Sequence, residues 1–248
     1  MVSAIIVAAG RGERLASKIS KPLIKIGKEP VIIYSLKALS SQPEIKEIIV
    51  VANPSNAKAI ITQIKKYRIK KIKSVILGGL RRQDSVFNGL KEVSVDMDFV
   101  LVHDAARPFI DRAIISNSLK QAATYGAAIV AVPVVATIKK VHSWQFPPQR
   151  VADPPRFLAG TVHKRNFVEK TIDRSNLWEV QTPQVFKKNL LLDAYKKYNR
   201  LNVTDDSMLV EKIGGRVAVV MGSKYNIKIT TPEDLVLAEV IYKKLKSE

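Results

Sequence analysis

No cysteine occurs in the 248 residues of the chain. A disulfide scaffold and any cysteine-held metal are therefore excluded, and the composition is compatible with a cytoplasmic protein. Histidine is nearly as scarce: His103, His142 and His163 are scattered and form no HExxH, so a zinc centre is not expected. No apolar run reaches the ~20 residues that a membrane span needs. The first residues lack the charged start and cleavage pattern of a signal peptide. Aromatic residues make up only 6% of the chain, yet 46% hydrophobic and 25% charged residues is the balance of a globular protein. Three chemical signatures are missing as well. There is no GK[ST] of a P-loop, no GxSxG nucleophile elbow and no third glycine to complete a dinucleotide fingerprint.

Acidic residues are the scarcer charge, 22 against 41 lysines and arginines, which leaves a formal charge of +19. Such an excess attracts polyanions, either nucleic acid or phosphorylated small molecules. Much of it, however, sits in runs such as Lys65-Lys66, Lys70-Lys71-Ile72-Lys73 and Lys243-Lys244-Leu245-Lys246. These read as solvated helix faces and ends, so charge alone assigns no partner.

What the chain does have is alternation. Residues 2–8, 45–52, 73–77, 99–102 and 127–132 are short, nearly continuous apolar runs rich in Val and Ile, the texture of a parallel sheet covered on both faces. Between them, 31–39, 56–67, 85–93 and 113–125 read as helices. Ala57, Ile60, Ile61 and Ile64 supply one apolar stripe. The pattern predicts a doubly wound, mostly parallel α/β sheet within a single domain spanning 1–248. It breaks at residues 136–180, where Pro147-Pro148 and Pro154-Pro155 fall and only 162–170 suggests a short helix. That stretch is expected to be an arm or excursion. Thr231-Pro232-Glu233-Asp234 then has the form of a helix start, continued by Leu235, Leu237, Ala238, Ile241 and Leu245.

Ligands of such sheets bind beyond the carboxyl ends of the strands. Directly after the first strand comes Ala8-Ala9-Gly10-Arg11-Gly12-Glu13-Arg14-Leu15, whose glycines let the backbone approach phosphate oxygens closely. Arg14 and Lys21 add positive charge beside it. Taken alone, this loop is equally well an ordinary strand-to-helix turn.

The remaining motifs carry a resemblance. Ala8-Ala9-Gly10-x-Gly12-x-Arg14 with Lys21 resembles the opening of the nucleotidyltransferases that make nucleotide-activated sugars and polyols. Gly78-Gly79-x-x-Arg82-Gln83-Asp84-Ser85, Val102-His103-Asp104-Ala105-Ala106-Arg107-Pro108 and Thr171-x-Asp173-Arg174 follow. Then come Gln181-Thr182-Pro183-Gln184, Thr204-Asp205-Asp206 and Asn226-Ile227-Lys228-Ile229-Thr230. Together they are similar to the 2-C-methyl-D-erythritol 4-phosphate cytidylyltransferase family, nearly from end to end.

That resemblance implies a Rossmann-like nucleotidyltransferase fold with a protruding arm, and transfer of CMP from CTP to a polyol phosphate. Ala8, Ala9, Gly10, Gly12, Gly78, Gly79, Ser85 and Asp104 would line the nucleotide site. Arg14, Lys21 and Lys228 would be catalytic, holding the phosphates and the charge that develops on them. Asp104, Arg107, Thr137, Arg174, Thr182, Thr204 and Lys228 would receive the polyol phosphate. Mg²⁺ would enter through the CTP phosphates, with Asp104 as the candidate protein ligand. The partners implied are CTP, the polyol phosphate and a second copy joined by arm exchange, with neither nucleic acid nor membrane. Two rival readings remain: a ribitol 5-phosphate cytidylyltransferase, and a non-catalytic basic nucleotide- or RNA-binding relative.

Each residue also has a bland reading. Asp104 could cap a loop, Arg174 could be a surface arginine, and Thr204-Asp205 could cap a helix. Lys228 could be the solvated position of a strand-like alternation. His103 is expected to be a packed neighbour of Asp104 rather than a catalyst.

Overall fold

The computed structural model of the chain describes residues 1–10, 20–145 and 164–247. Strands run in the order β1 (Val2–Ala8), β2 (Lys25–Ile26), β3 (Glu29–Pro30), β4 (Ile45–Ala52), β5 (Ile72–Leu77) and β6 (Phe99–Asp104). They continue as β7 (Ala127–Pro133), β8 (Ile138–Gln145), β9 (Lys164–Ile172), β10 (Trp178–Lys187) and β11 (Val217–Met221). The helices are α1 (Val31–Ser40), α2 (Ala57–Lys66), α3 (Arg82–Lys91), α4 (Arg112–Tyr125), α5 (Lys188–Tyr198), α6 (Ser207–Lys212) and α7 (Pro232–Ser247). Two compact units form, Met1–Val132 with Val180–Glu248, and Pro133–Glu179. No helix among the described residues is long and apolar enough to cross a membrane.

Seven strands build one sheet in the order β11-β7-β10-β6-β1-β4-β5. β1 lies parallel to β4 and β6, β4 to β5, and β11 to β7, while β10 runs antiparallel to β6. This is the α/β, mostly parallel architecture expected. The alternation along β1 explains why its sequence is apolar on both faces, with Ser3 the buried exception. Val2, Ala4, Ile6 and Ala8 enter the core on one face with residues of α1, α2 and α4. Ile5 and Val7 enter the core on the other with residues of α3, α5 and α6. A strand covered twice has no solvent face to mark with polar residues.

Several local expectations need adjustment. α3 starts at Arg82 rather than 85, because the Asp84 carboxylate accepts from the Arg81 N–H at 3.0 Å and fixes the first turn. In α2, Ile60 and Ile64 are buried but Ile61 is exposed, so the stripe is narrower than its spacing suggested. In α7, Ala238 and Ile241 are buried whereas Leu237 and Leu245 lie outside the core. The expected start of α7 does form: the Asp234 carboxylate accepts from the N–H groups of Thr230 and Thr231 at 2.7 and 2.9 Å. α4 is capped by Asp111, which accepts from the Ile114 N–H at 2.7 Å, and ends at Gly126 with φ 94°, a conformation that favours glycine.

The Pro133–Glu179 unit contains the antiparallel pair β8 and β9. The short helix expected over 162–170 is, from residue 164 onward, strand β9. Cross-strand partners account for the difference: Val141 faces Val168, and Lys140 reaches Glu169 at 2.8 Å. The proline-rich stretch 146–158 lies outside the described residues.

Gly89 lets α3 seat on the sheet, since a Cβ there would lie 2.7 Å from Ile5 Cγ2 and 3.2 Å from Val51 Cγ2. Gly89→Val is therefore expected to destabilise the fold by about 1–3 kcal/mol through overpacking. Urea unfolding should show a lower midpoint at unchanged slope. An unchanged midpoint would mean that α3 can lift without cost.

Candidate active site

The strand order reverses between β1 and β6: from β1 the chain moves outward through β4 to β5, then returns to the other side of β1. The crevice at the carboxyl ends of such a pair is where ligands of open α/β sheets bind. Val7 pairs with Asp104, which puts the end of β6 beside Ala8. The antiparallel run of β10 brings Thr182 to the same rim, where its hydroxyl accepts from the Asp104 N–H at 3.1 Å.

Asp104 is the centre of a charged cluster. Lys228 Nζ lies 2.6 Å from one of its oxygens, with Arg107 Nε at 4.0 Å from the same atom. Arg82 Nε is 3.4 Å from the other oxygen. Burial on its own would raise the Asp104 carboxyl, but Arg82, Lys228 and Arg107 outweigh it and hold the group well below the usual carboxylate range. The side chains come from four places: the first turn of α3, the end of β6, the turn after it, and the segment before α7. An open cavity of about 530 Å³ lies here, and its lining includes Arg82, Asp104, Arg107, Thr182, Thr204 and Lys228.

Local packing explains how Lys228 arrives. Residues 226–230 form no strand, so the expected alternation holds without a ladder. Ile229 is buried against Phe109, Ala238 and Ile241, and its N–H donates to the Ala106 carbonyl at 2.9 Å. Asn226, also buried, donates from Nδ2 to the Thr182 carbonyl at 2.9 Å. Its own carbonyl accepts from Arg107 Nη1 at 2.8 Å. Lys228, between these anchors, keeps a side chain 40% exposed. Arg107 is itself buried and braces backbone from beneath while lining the cavity.

His103 is fully buried and has no catalytic exposure. Its Nε2–H donates to the Arg107 carbonyl at 3.0 Å, which leaves Nδ1 to accept from the Thr182 hydroxyl at 3.1 Å. Burial pushes this imidazole down to about 4, so it stays neutral as a strut beneath Asp104. The Thr182 hydroxyl is spent in the same network, between His103 and the Asp104 N–H.

The glycine-lined half of the site is close-packed. A Cβ on Gly78 would meet Ser85 Oγ at 2.5 Å and the Ala9 Cβ at 2.6 Å, which brings three of the expected nucleotide-site residues together. The Ser85 hydroxyl accepts from the Gly79 N–H at 3.1 Å and donates to the Arg81 carbonyl at 3.2 Å. Among the described residues, nothing lies near a would-be Cβ on Gly10. Asn56 fastens the strand end, donating to the Ala8 carbonyl at 3.0 Å and to Ser20 Oγ at 2.9 Å.

Lys21 follows Ser20, but the proline after it does not extend the chain. Lys21 opens a 3₁₀ turn in which the Leu23 N–H donates to the Ser20 carbonyl at 2.8 Å. Lys21 does not line the Asp104 cavity. Gly12 and Arg14 lie outside the described residues. Thr137 and Arg174 belong to the Pro133–Glu179 unit. There the Arg174 guanidinium donates to the Val135 carbonyl, and Ile138 pairs with Ile172, so the two expected residues share one end of the hairpin.

The residue patterns and this geometry converge with the comparisons. The sequence model of the 2-C-methyl-D-erythritol 4-phosphate cytidylyltransferases matches residues 2–148 and 159–244. The chain belongs to that family. It is 42% identical over 245 residues to the enzyme of this name from Clostridium botulinum, covering 98% of both chains. With that of Clostridioides difficile the identity is 43% over 244 residues, covering 97% of this chain and 93% of the other. Among solved structures, 4-diphosphocytidyl-2C-methyl-D-erythritol synthase from Anaerococcus prevotii superposes with a TM-score of 0.78 at 31% identity, covering 98% and 96% of the two chains. Membership makes the chain a cytidylyltransferase with the nucleotidyltransferase fold. The two matched stretches leave out residues 149–158, part of the proline-rich stretch.

Arg82 and Asp206 were not singled out from the sequence, although both fall inside the quoted motifs. Arg82 also reaches Asp206 at 2.8 Å, so one guanidinium serves two carboxylates. Thr204 is exposed on the cavity, while Asp205 does the capping and accepts from the Met208 N–H at 3.2 Å.

The neutral His103 has a measurable consequence. Between about pH 6.5 and pH 4 the unfolded chain takes up a proton at His103 that the folded chain excludes, so acid lowers stability across this window. The loss attributable to this group is on the order of 3 kcal/mol. Urea unfolding at stepped pH should show a shallower decline in His103→Gln than in the wild type. Parallel declines would mean that the imidazole titrates normally.

Proposed function

We propose that the chain transfers a cytidylyl group from CTP to 2-C-methyl-D-erythritol 4-phosphate in the cytoplasm. A phosphate oxygen of the polyol phosphate attacks the α-phosphorus of CTP. The bond from that phosphorus to the oxygen bridging to the β-phosphate breaks, and pyrophosphate leaves with the electron pair. The acceptor is already an oxyanion, so no side-chain nucleophile and no general-base histidine are needed. Catalysis of this kind is mostly positioning and charge stabilisation. The observation that carries the reading is the gathering of Arg82, Arg107 and Lys228 around Asp104 on the cavity beside the glycine-lined strand end.

In this reading Ala8, Ala9, Gly10, Gly12, Gly78, Gly79 and Ser85 form the nucleotide slot. Arg14 and Lys21 hold the triphosphate and the charge that grows on it. Lys228 orients the acceptor phosphate, with Asp104, Arg107, Thr182 and Thr204 shaping the pocket around it. Thr137 and Arg174 are assigned to an arm, residues 136–180, that completes the site of a second copy in a homodimer.

Magnesium is proposed to enter with the CTP phosphates. Among the described residues no three acidic or imidazole side chains converge to hold a metal. Asp104 has Lys228 on one oxygen and Arg82 beside the other, surroundings that disfavour a divalent ion. These residues do not fit a protein-held metal.

Pyrophosphate release is the direct assay. CTP with 2-C-methyl-D-erythritol 4-phosphate should turn over at least about tenfold faster than ATP, GTP or UTP, and faster than CTP with ribitol 5-phosphate. Faster turnover of ribitol phosphate would replace the proposed acceptor. Arg14→Ala and Lys21→Ala should each lower kcat on the order of 10²–10³-fold with thermal stability kept; wild-type turnover would remove that residue from the catalytic set. Light scattering at assay concentration should find a dimer, and a fully active monomer would refute the shared site.

A further inference from the structure

We infer that Asp206 and Tyr195 are positioning residues for the transfer, holding the Arg82 guanidinium at the cavity wall so that Asp104 is gripped through both of its oxygens. The inference rests on the proposed reaction and extends it to residues behind the pocket. Asp206 is 0% exposed. One of its oxygens accepts from Arg82 Nη1 at 2.8 Å and the other from the Tyr195 hydroxyl at 2.5 Å. Its N–H donates to the Gln184 side-chain carbonyl at 3.2 Å. The Tyr195 ring is fixed in turn by stacking on Phe87 of α3, with centroids 5.3 Å apart and planes 9° from parallel.

A buried ion pair of this sort is weak evidence for stability, since apolar replacements of similar volume are often neutral or better. Its geometry points outward instead. Arg82 turns Nη1 to the buried carboxylate and Nε to Asp104, 3.4 Å away. Lys228 occupies the opposite oxygen of Asp104 at 2.6 Å. Without Asp206, Arg82 would be free to close fully onto Asp104 or to swing out onto an arriving phosphate. Either movement rotates the Asp104 carboxylate and shifts Lys228 from its place. A lysine at 82 could not replace the fork, because a single ammonium cannot reach two carboxylates on different sides.

Steady-state kinetics with both substrates varied distinguishes this role from a structural one. Asp206→Asn is expected to raise KM for the polyol phosphate about tenfold and to leave KM for CTP within about twofold. Tyr195→Phe, which keeps the charge, should move the same constant in the same direction by roughly two- to fivefold. It also keeps the test open if Asp206→Asn does not fold. Arg82→Lys should give the same split between substrates, and adding Asp206→Asn to it should have little further effect, because both changes break one linkage. Lower thermal stability with both KM values unchanged, or independent multiplication of the Arg82 and Asp206 effects, would overturn the inference. The wild-type enzyme is assayed alongside: no turnover there would defeat the reaction itself, whereas an active wild type with unaltered variants would defeat only the positioning role.

Discussion

The carboxylate of Asp104 is what allows three cationic side chains to share one wall of a cavity. Arg82, Arg107 and Lys228 all lie within 4.0 Å of its oxygens. Without an anion between them they would repel at separations where screening by water is incomplete. With it, and with Asp206 behind Arg82, three cations are held beside two carboxylates, and Asp205 and Glu211 also line the cavity. The topology supplies the meeting point, because the rim between β1 and β6 brings together the start of α3, the end of β6, Thr182 of β10 and the Lys228 segment.

Beneath that wall lies a neutral network rather than a second charged one. His103 joins the Arg107 carbonyl to the Thr182 hydroxyl, and Thr182 passes the chain on to the Asp104 backbone. A protonated imidazole there would place a fourth cation under Asp104 and face the Arg107 and Lys228 charges. Burial removes that option. The histidine motif next to a catalytic-looking aspartate therefore reads as architecture, because both ring nitrogens are already engaged.

The parallel sheet was legible because double coverage forces apolar continuity, and β1, β4, β6 and β7 all display it. Asp104 and Lys228 were legible through their motifs, and Asp104 also through its place at a strand end. The β8–β9 hairpin was not, because among the described side chains neither strand carries a buried face: Val141, Phe167 and Val168 are exposed, so no alternation marks them. Arg82 lies inside a motif, yet its role was not legible, for a different reason. Its partner Asp206 lies 124 residues away, and nothing local distinguishes an arginine held by a buried carboxylate from one on a helix surface. Lys21 shows the limit of local rules in the opposite sense. A following proline suggests extension, yet the Ser20–Asn56 anchor and the 3₁₀ turn place it otherwise.

The two halves of the site are coupled through α3. Its first turn carries Arg82 to the charged wall, and three residues later Ser85 reaches the glycine slot, where it orders the Gly79 N–H. Positions i and i+3 lie on one face of a helix, separated by about 4.5 Å along its axis. The helix is therefore a rigid spacer between Ser85, which orders the glycine slot, and Arg82, which steadies Asp104. Its distance from β1 is set by Gly89, where a side chain would strike Ile5. Its far side is pinned by Phe87 on Tyr195, the same tyrosine that anchors Asp206. Transfer between two bound phosphates demands a fixed separation of the reacting atoms, and effective molarity falls steeply with small misplacements. A single helix seated by a glycine and clamped by an aromatic stack fixes the spacing of Ser85 and Arg82, one on each side of the proposed site.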